Sequence, residues 1–148
     1  MSTFLDARTS QNISYSDGLS IPLSSTPALF AELGLVTTGA GPNLRIQFTA
    51  SVAVSSLASV AVPIRIDIYR GRLADPERVL VYSAIETTAV AGILGVASRK
   101  ILTVTGSEYT PPNPGLLVYQ AFISIPGGVP IAPTRTGPES FNAAAYSD

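Results

Sequence analysis

Between residues 44 and 54 the side chains alternate without a break. Leu44, Ile46, Phe48, Ala50, Val52 and Val54 are apolar, while Arg45, Gln47, Thr49, Ser51 and Ala53 are polar or small. A period of two held this long requires an extended chain, in which successive side chains point to opposite faces. The segment is therefore read as a β-strand with one apolar face and one mostly polar face, and it does not fit an amphipathic helix.

Similar segments occur at 19–23, 29–37, 63–70, 79–87, 99–105, 116–125 and 139–146, each bounded by Gly, Pro, Asn or Ser. Pro22 demotes the first to an edge, because proline cannot donate to a ladder. Gly39-Ala40-Gly41-Pro42-Asn43, Asp75-Pro76, the run from Tyr109 through Pro111, Pro112 and Pro114 to Gly115, and Pro126-Gly127-Gly128 are the turns between them. Residues 89–97 fit either a short helical turn or another strand. About eight short strands predict an all-β fold, a two-sheet antiparallel β-sandwich with the jelly roll as the single best topology. A closed barrel or an immunoglobulin-like sandwich would give the same local signals. Residues 19–148 are read as one β-sandwich domain, and the polar residues 1–18 as an N-terminal extended arm or connector with only Phe4, Leu5, Ile13 and Tyr15 as anchors. Ile13 and Tyr15 share one face of an extended chain, so the arm can order by adding to an open sheet edge or by filling a groove on a neighbour. Removing it is expected to leave a folded β domain and to abolish longitudinal assembly.

A chain of 148 residues can bury a core without staples, and it has no Cys and no His. That removes disulfides, the commonest metal ligand and the usual general base. With a net charge of −1 and no basic stripe, nucleic acid is not an expected partner. Residues 46–64 carry no charge, but Gln47, Thr49, Ser51, Ser55, Ser56, Ser59 and Pro63 interrupt them, so membrane insertion is not expected either. Charged residues make up only 13% while mean hydropathy is +0.35. A typical domain carries about 25% charge. Apolar surface left over after the core is filled predicts that copies pack together.

Arg65, Asp67, Arg70, Arg72, Asp75, Glu77 and Arg78 crowd into 14 positions, 65–78. They could hold an acidic ligand or a cation, but mixed signs fit an outward strand face followed by a solvated hairpin better. Asp75 and Glu77 are too few oxygens for Ca²⁺. No Gly-x-Ser-x-Gly elbow occurs, Lys100 is the one lysine, and nothing in the spacing of the acids selects a catalytic pair. Gly39-Ala40-Gly41 lacks the rest of a dinucleotide loop, and Asn12-Ile13-Ser14 matches a glycosylation sequon of a length common by chance. No catalytic residue, cofactor or metal is expected, and the chain is not read as an enzyme.

Phe48, Tyr69, Tyr82, Tyr119, Phe122, Phe141 and Tyr146 all fall in strands, where most belong to the core. In 116–125, Leu117, Tyr119, Ala121, Ile123 and Ile125 alternate with Leu116, Val118, Gln120, Phe122 and Ser124, so both faces are largely apolar. A strand of that kind is covered on both sides, one by the partner sheet and the other by a neighbouring subunit. The candidate interface residues are Phe4, Leu5, Ile13 and Tyr15 of the arm with Tyr119, Phe122, Phe141 and Tyr146 of the last strands.

The strand from Leu116 to Phe122, a Pro/Gly loop, and the final run Ser140-Phe141-Asn142-Ala143-Ala144-Ala145-Tyr146 resemble the last two strands of C1q/tumour-necrosis-factor-like jelly rolls. The 44–54 strand followed by Ile64-Arg65-Ile66-Asp67-Ile68-Tyr69-Arg70 is similar to their central strands. Within that group the chain resembles bacterial spore-surface modules, namely exosporium filament heads and endospore-appendage subunits, and related phage structural proteins. The resemblance implies a non-enzymatic module that associates with itself, as a trimer or as a fibre stacked through an N-terminal arm. It implies a place on an extracellular surface structure: a spore surface, an appendage or a virion. The absence of a visible secretion signal at the N-terminus agrees with such proteins, which assemble from inside a cell. The chain departs from the pattern in lacking both a Gly-X-Y stalk and the cysteines that cross-link appendage subunits. The alternative is a carbohydrate- or receptor-binding module that presents exposed Tyr rings to a glycan or a cell-surface receptor.

Overall fold

The computed structural model describes residues 1–57, 61–88, 97–129 and 131–148. Among the described residues nine strands form two sheets: β1 (Thr3–Ile13), β2 (Ile21–Pro22), β3 (Ala28–Val36), β4 (Arg45–Ser56), β5 (Pro63–Arg70), β6 (Val79–Thr87), β7 (Ser98–Tyr109), β8 (Leu116–Ser124) and β9 (Thr134–Ser147). The first sheet has the order β1-β9-β4-β7, with the short β2 also on β9, and the second has the order β3-β8-β5-β6. All pairs are antiparallel. This is the jelly-roll sandwich that the strand count and turn spacing predict. Residues 89–96, which fit two readings, lie outside the described residues.

The core follows from the alternation. Ile46, Phe48, Ala50, Val52 and Val54 of β4 are buried with Phe141, Ala143 and Ala145 of β9. Leu33 and Leu35 of β3, Ile64, Ile66 and Ile68 of β5, and Leu117, Tyr119, Ala121 and Ile123 of β8 belong to the same cluster from the second sheet. Each large side chain so buried stabilises the fold by about 1.5–3 kcal/mol. The ring of Phe48 meets Tyr82 edge-on at 5.5 Å, and Gly106 of β7 makes room for them, since a Cβ there would lie 2.7 Å from Tyr82 and 2.8 Å from Phe48. That glycine therefore sits inside a strand rather than ending it, and β7 runs four residues past the expected 105.

Residues 3–13 of the segment read as an arm are β1, laid antiparallel along β9 of the same chain from Thr3↔Ser147 to Ile13↔Glu139. Its sequence shows no alternation because an edge strand of this kind buries little on either face and is held by main-chain bonds. Asp6 Oδ2 accepts a 2.8 Å bond from the Val36 N–H, which ties β1 to β3 and closes that side of the sandwich. The same bond is the main reason the Asp6 carboxyl lies below its usual range, with Arg8 adding to it. On the other side β6 and β7 stand apart over a groove of about 460 Å³. There Lys100 reaches across to Glu86.

The strand β9 begins earlier than 139 because residues 136–138 form an irregularity opposite β4, where the pairing passes from Val52↔Glu139 to Val54↔Arg135. Gly137 takes the left-handed φ of 85° that this requires.

Candidate interaction surfaces

Among the described residues no group of three or more Asp or Glu side chains gathers as a metal site, and no helix is long and apolar enough to cross a membrane. What distinguishes this molecule is the contrast between its two outer faces.

The outer face of the second sheet is charged, and its ion pairs close within the chain, while Arg78 Nε and Gln120 Oε1 are buried there without a hydrogen-bond partner among the described residues. Arg65 Nε donates to Asp67 at 2.8 Å and to Ser83 at 3.1 Å, both on the outward side of β5 and β6, so the carboxylate next to it raises the Arg65 pKa further. Arg72 pairs with Glu32 at 3.1 Å, and the Gln120 amide donates to the same carboxylate at 2.6 Å. The amide first and Arg72 second hold Glu32 below the usual carboxylate range. The Arg78 guanidinium lies 3.4 Å over the Tyr69 ring and 5.2 Å from Phe122. The second face of β8 is thus covered from within the chain at Gln120 and Phe122, while Leu116 on the same face stays exposed. Tyr69 and Arg78 roof Phe122, and Glu32 takes Gln120, so the neighbouring subunit expected there is not needed at these positions. Spacing could not show this, because Arg78 folds back from beyond a turn.

The candidate interface residues separate accordingly. Tyr119 and Phe141 are fully buried between the sheets and offer no surface to a second chain. Burial and the Glu108 carboxylate raise the Tyr119 phenol far above its ordinary pKa, and its O–H donates to Glu108 at 2.6 Å. Arg70 reaches the same Glu108 at 2.9 Å. Phe122 is buried on the outer side of the second sheet. Leu5 is half-buried and packed against the core, and Ile13 lies against Gly18 and Gly137. Tyr15 is exposed. Phe4 and Tyr146 meet edge-on at 5.8 Å at one end of the first sheet, with Phe4 57% exposed. Tyr109, which the prolines after it make resemble loop in the sequence, is 72% exposed at the end of β7.

The outer face of the first sheet is a grid of four rows. Phe4, Tyr146, Arg45 and Tyr109 form the end row. Next come Ala7, Ala144, Gln47 and Ser107, then Thr9, Asn142, Thr49 and Thr105, then Gln11, Ser140, Ser51 and Thr103. Ser51 and Thr103 share a 2.8 Å hydroxyl bond across the strands. The last three rows contain no charge. Ion pairs flank the grid: Arg45 with Asp148 at 3.2 Å at one end and Arg99 with Asp17 at 3.0 Å at the other. Hydrogen bonds from Asn43 and Arg45 keep the Asp148 carboxyl below its usual range.

No family model and no curated protein matches the chain. Among solved structures it is similar to the Eiger TNF of S. frugiperda, with 8% identity, 95% of this chain and 91% of that chain covered, and a TM-score of 0.48.

Proposed function

We propose that this chain is a non-enzymatic structural subunit that assembles with copies of itself into a surface oligomer or fibre. The observation that carries the reading is the three charge-free rows of the grid on the outer face of the first sheet. A face left to water in a soluble domain normally carries charges of both signs, as the second sheet's does. Ala, Ser, Thr, Asn and Gln side chains are short and cost little to desolvate when they meet hydroxyl and amide partners, so this face suits close contact with another protein surface. A second copy is the partner that this chain itself supplies. Location on the outside of a spore, appendage or virion is supported by the C1q-like resemblance of the strands.

The second reading, a glycan- or receptor-binding module, draws on the end row, where Phe4 and Tyr109 are exposed beside Arg45 and Asp148. A glycan array on the purified protein tests it.

The test of the main reading is the particle mass by light scattering. Thr49→Arg with Asn142→Arg puts two cations into the grid and is expected to lower the mass, whereas Ala74→Arg in the exposed turn between β5 and β6 leaves the assembly intact. An unchanged mass in the grid variant overturns the reading.

A further inference from the structure

The two edges of the first sheet are β1 and β7. Three antiparallel pairings separate them, so they run in opposite directions. A second copy displaced sideways, without rotation, therefore brings its β1 alongside β7 of the first in antiparallel sense. The same displacement brings β3 of the second copy alongside β6, again antiparallel, because the second sheet also alternates throughout. The edge strands match in length, with 11 residues in β1 and 12 in β7, and with 9 in each of β3 and β6.

The side chains agree with this join. Carrying each row of the grid across the boundary sets Tyr109 beside Phe4 of the next copy, Ser107 beside Ala7, Thr105 beside Thr9 and Thr103 beside Gln11. The exposed rings of Tyr109 and Phe4 would then repeat the edge-on contact that Phe4 makes with Tyr146 inside the chain. The devices that guard a free edge are largely spent within the chain. Lys100 is paired with Glu86, Glu108 with Arg70, Arg99 with Asp17, and Asp6 with Arg8. The register shifts of β1 lie at Phe4/Asp6 and Gln11/Ile13, and the regular stretch between them is the part that faces 103–108.

We infer that copies of this chain join edge to edge, β7 of one pairing antiparallel with β1 of the next, so that the first sheet continues through an open-ended row of subunits. The two edges are different surfaces, so the contact is heterologous, and with no rotation between neighbours it does not close into a ring. The inference rests on the self-assembly reading and adds a contact through the sheet edges, which leaves the uncharged rows of the outer face free for the face contact of that reading.

The chain has no cysteine, so introduced thiols report the contact without background. Phe4→Cys with Tyr109→Cys in one chain, oxidised and run on a denaturing gel without reductant, is expected to give a ladder of dimers, trimers and higher species. Within one chain these positions are three strand spacings apart, about 14 Å, beyond the roughly 4.4–6.8 Å Cα separation a disulfide spans. Each single variant is expected to remain a monomer on the gel, and a mixture of the two singles is expected to stop at dimer. Ala7→Cys with Ser107→Cys reads the same register one row further on and must give the same ladder. Assembly by light scattering without a ladder from either pair overturns the inference alone, as does efficient dimerisation of Thr105→Cys by itself, which marks a symmetric β7–β7 contact. Absence of any assembly overturns the self-assembly reading together with it.

Discussion

Arg135 and Glu139 form a bidentate ion pair at 2.7 and 2.6 Å with side-chain exposures of 5% and 0%. Asn12 of β1 donates a 2.8 Å bond to the same carboxylate. A buried pair of this kind contributes little net stability, but removing one partner strands a charge and costs about 3–5 kcal/mol. For a domain of this size that is a fall in Tm of about 10 °C. Glu139→Ala is expected to show it in a thermal melt, and Arg135→Met with Glu139→Leu should recover much of the loss. A single variant that melts with the parent would contradict the role given to the pair. The Tyr119 phenol is raised, so between the unfolded tyrosine value near 10 and its own higher value the native state holds a proton that the unfolded chain has lost. Stability from this group is complete below about pH 10 and declines above it, by roughly 1.4 kcal/mol per pH unit. Tyr119→Phe should flatten the alkaline part of the stability profile, measured by denaturant titration from pH 9 to 11.5. An equal slope in the variant would remove Tyr119 as its source. Neither residue was assigned its role from the sequence. Arg135 lies among breakers that read as loop, and the partner of Tyr119 comes from a strand eleven positions away.

At the scale of elements, strands with a buried face were legible, and of the strands without a buried residue β6 was legible at 79–87 whereas β1 was not. Alternation in 44–54 and the Ile64, Ile66, Ile68 series each placed a strand and its inward face correctly. The first strand carries no such pattern, since its neighbours touch mainly its backbone, and 1–18 therefore read as an arm. With β1 on β9, deletion of 1–16 uncovers the β9 edge, removes the Asn12 bond to Glu139 and frees the Val36 N–H. The truncated chain is expected to keep its β signal in circular dichroism, to melt about 5–10 °C lower, equivalent to a few kcal/mol at this size, and to form no rows. Rows as long as those of the full chain after truncation would place the inter-subunit contacts elsewhere on the sandwich.

For the whole molecule, low charge and high hydropathy predicted apolar surface in excess of the core. The exposed Leu73, Ile85, Ile101 and Leu116 side chains are consistent with that, but they lie on several strands and loops rather than on one face. The more unusual region is polar and uncharged, and composition could not locate it, because Ser and Thr look alike on a solvated face and on a contact face. Strand order decided it, by setting β1, β9, β4 and β7 side by side with their uncharged residues in rows. The three uncharged rows are bounded by ion pairs at the ends of the grid, while the outer face of the other sheet carries charges of both signs. Sedimentation equilibrium of the unmodified protein over a hundredfold range of micromolar concentration tests the central claim most directly. The expected result is a weight-average mass that exceeds 15.4 kDa and rises with concentration, as an open-ended row requires. A constant 15.4 kDa across the range would contradict it.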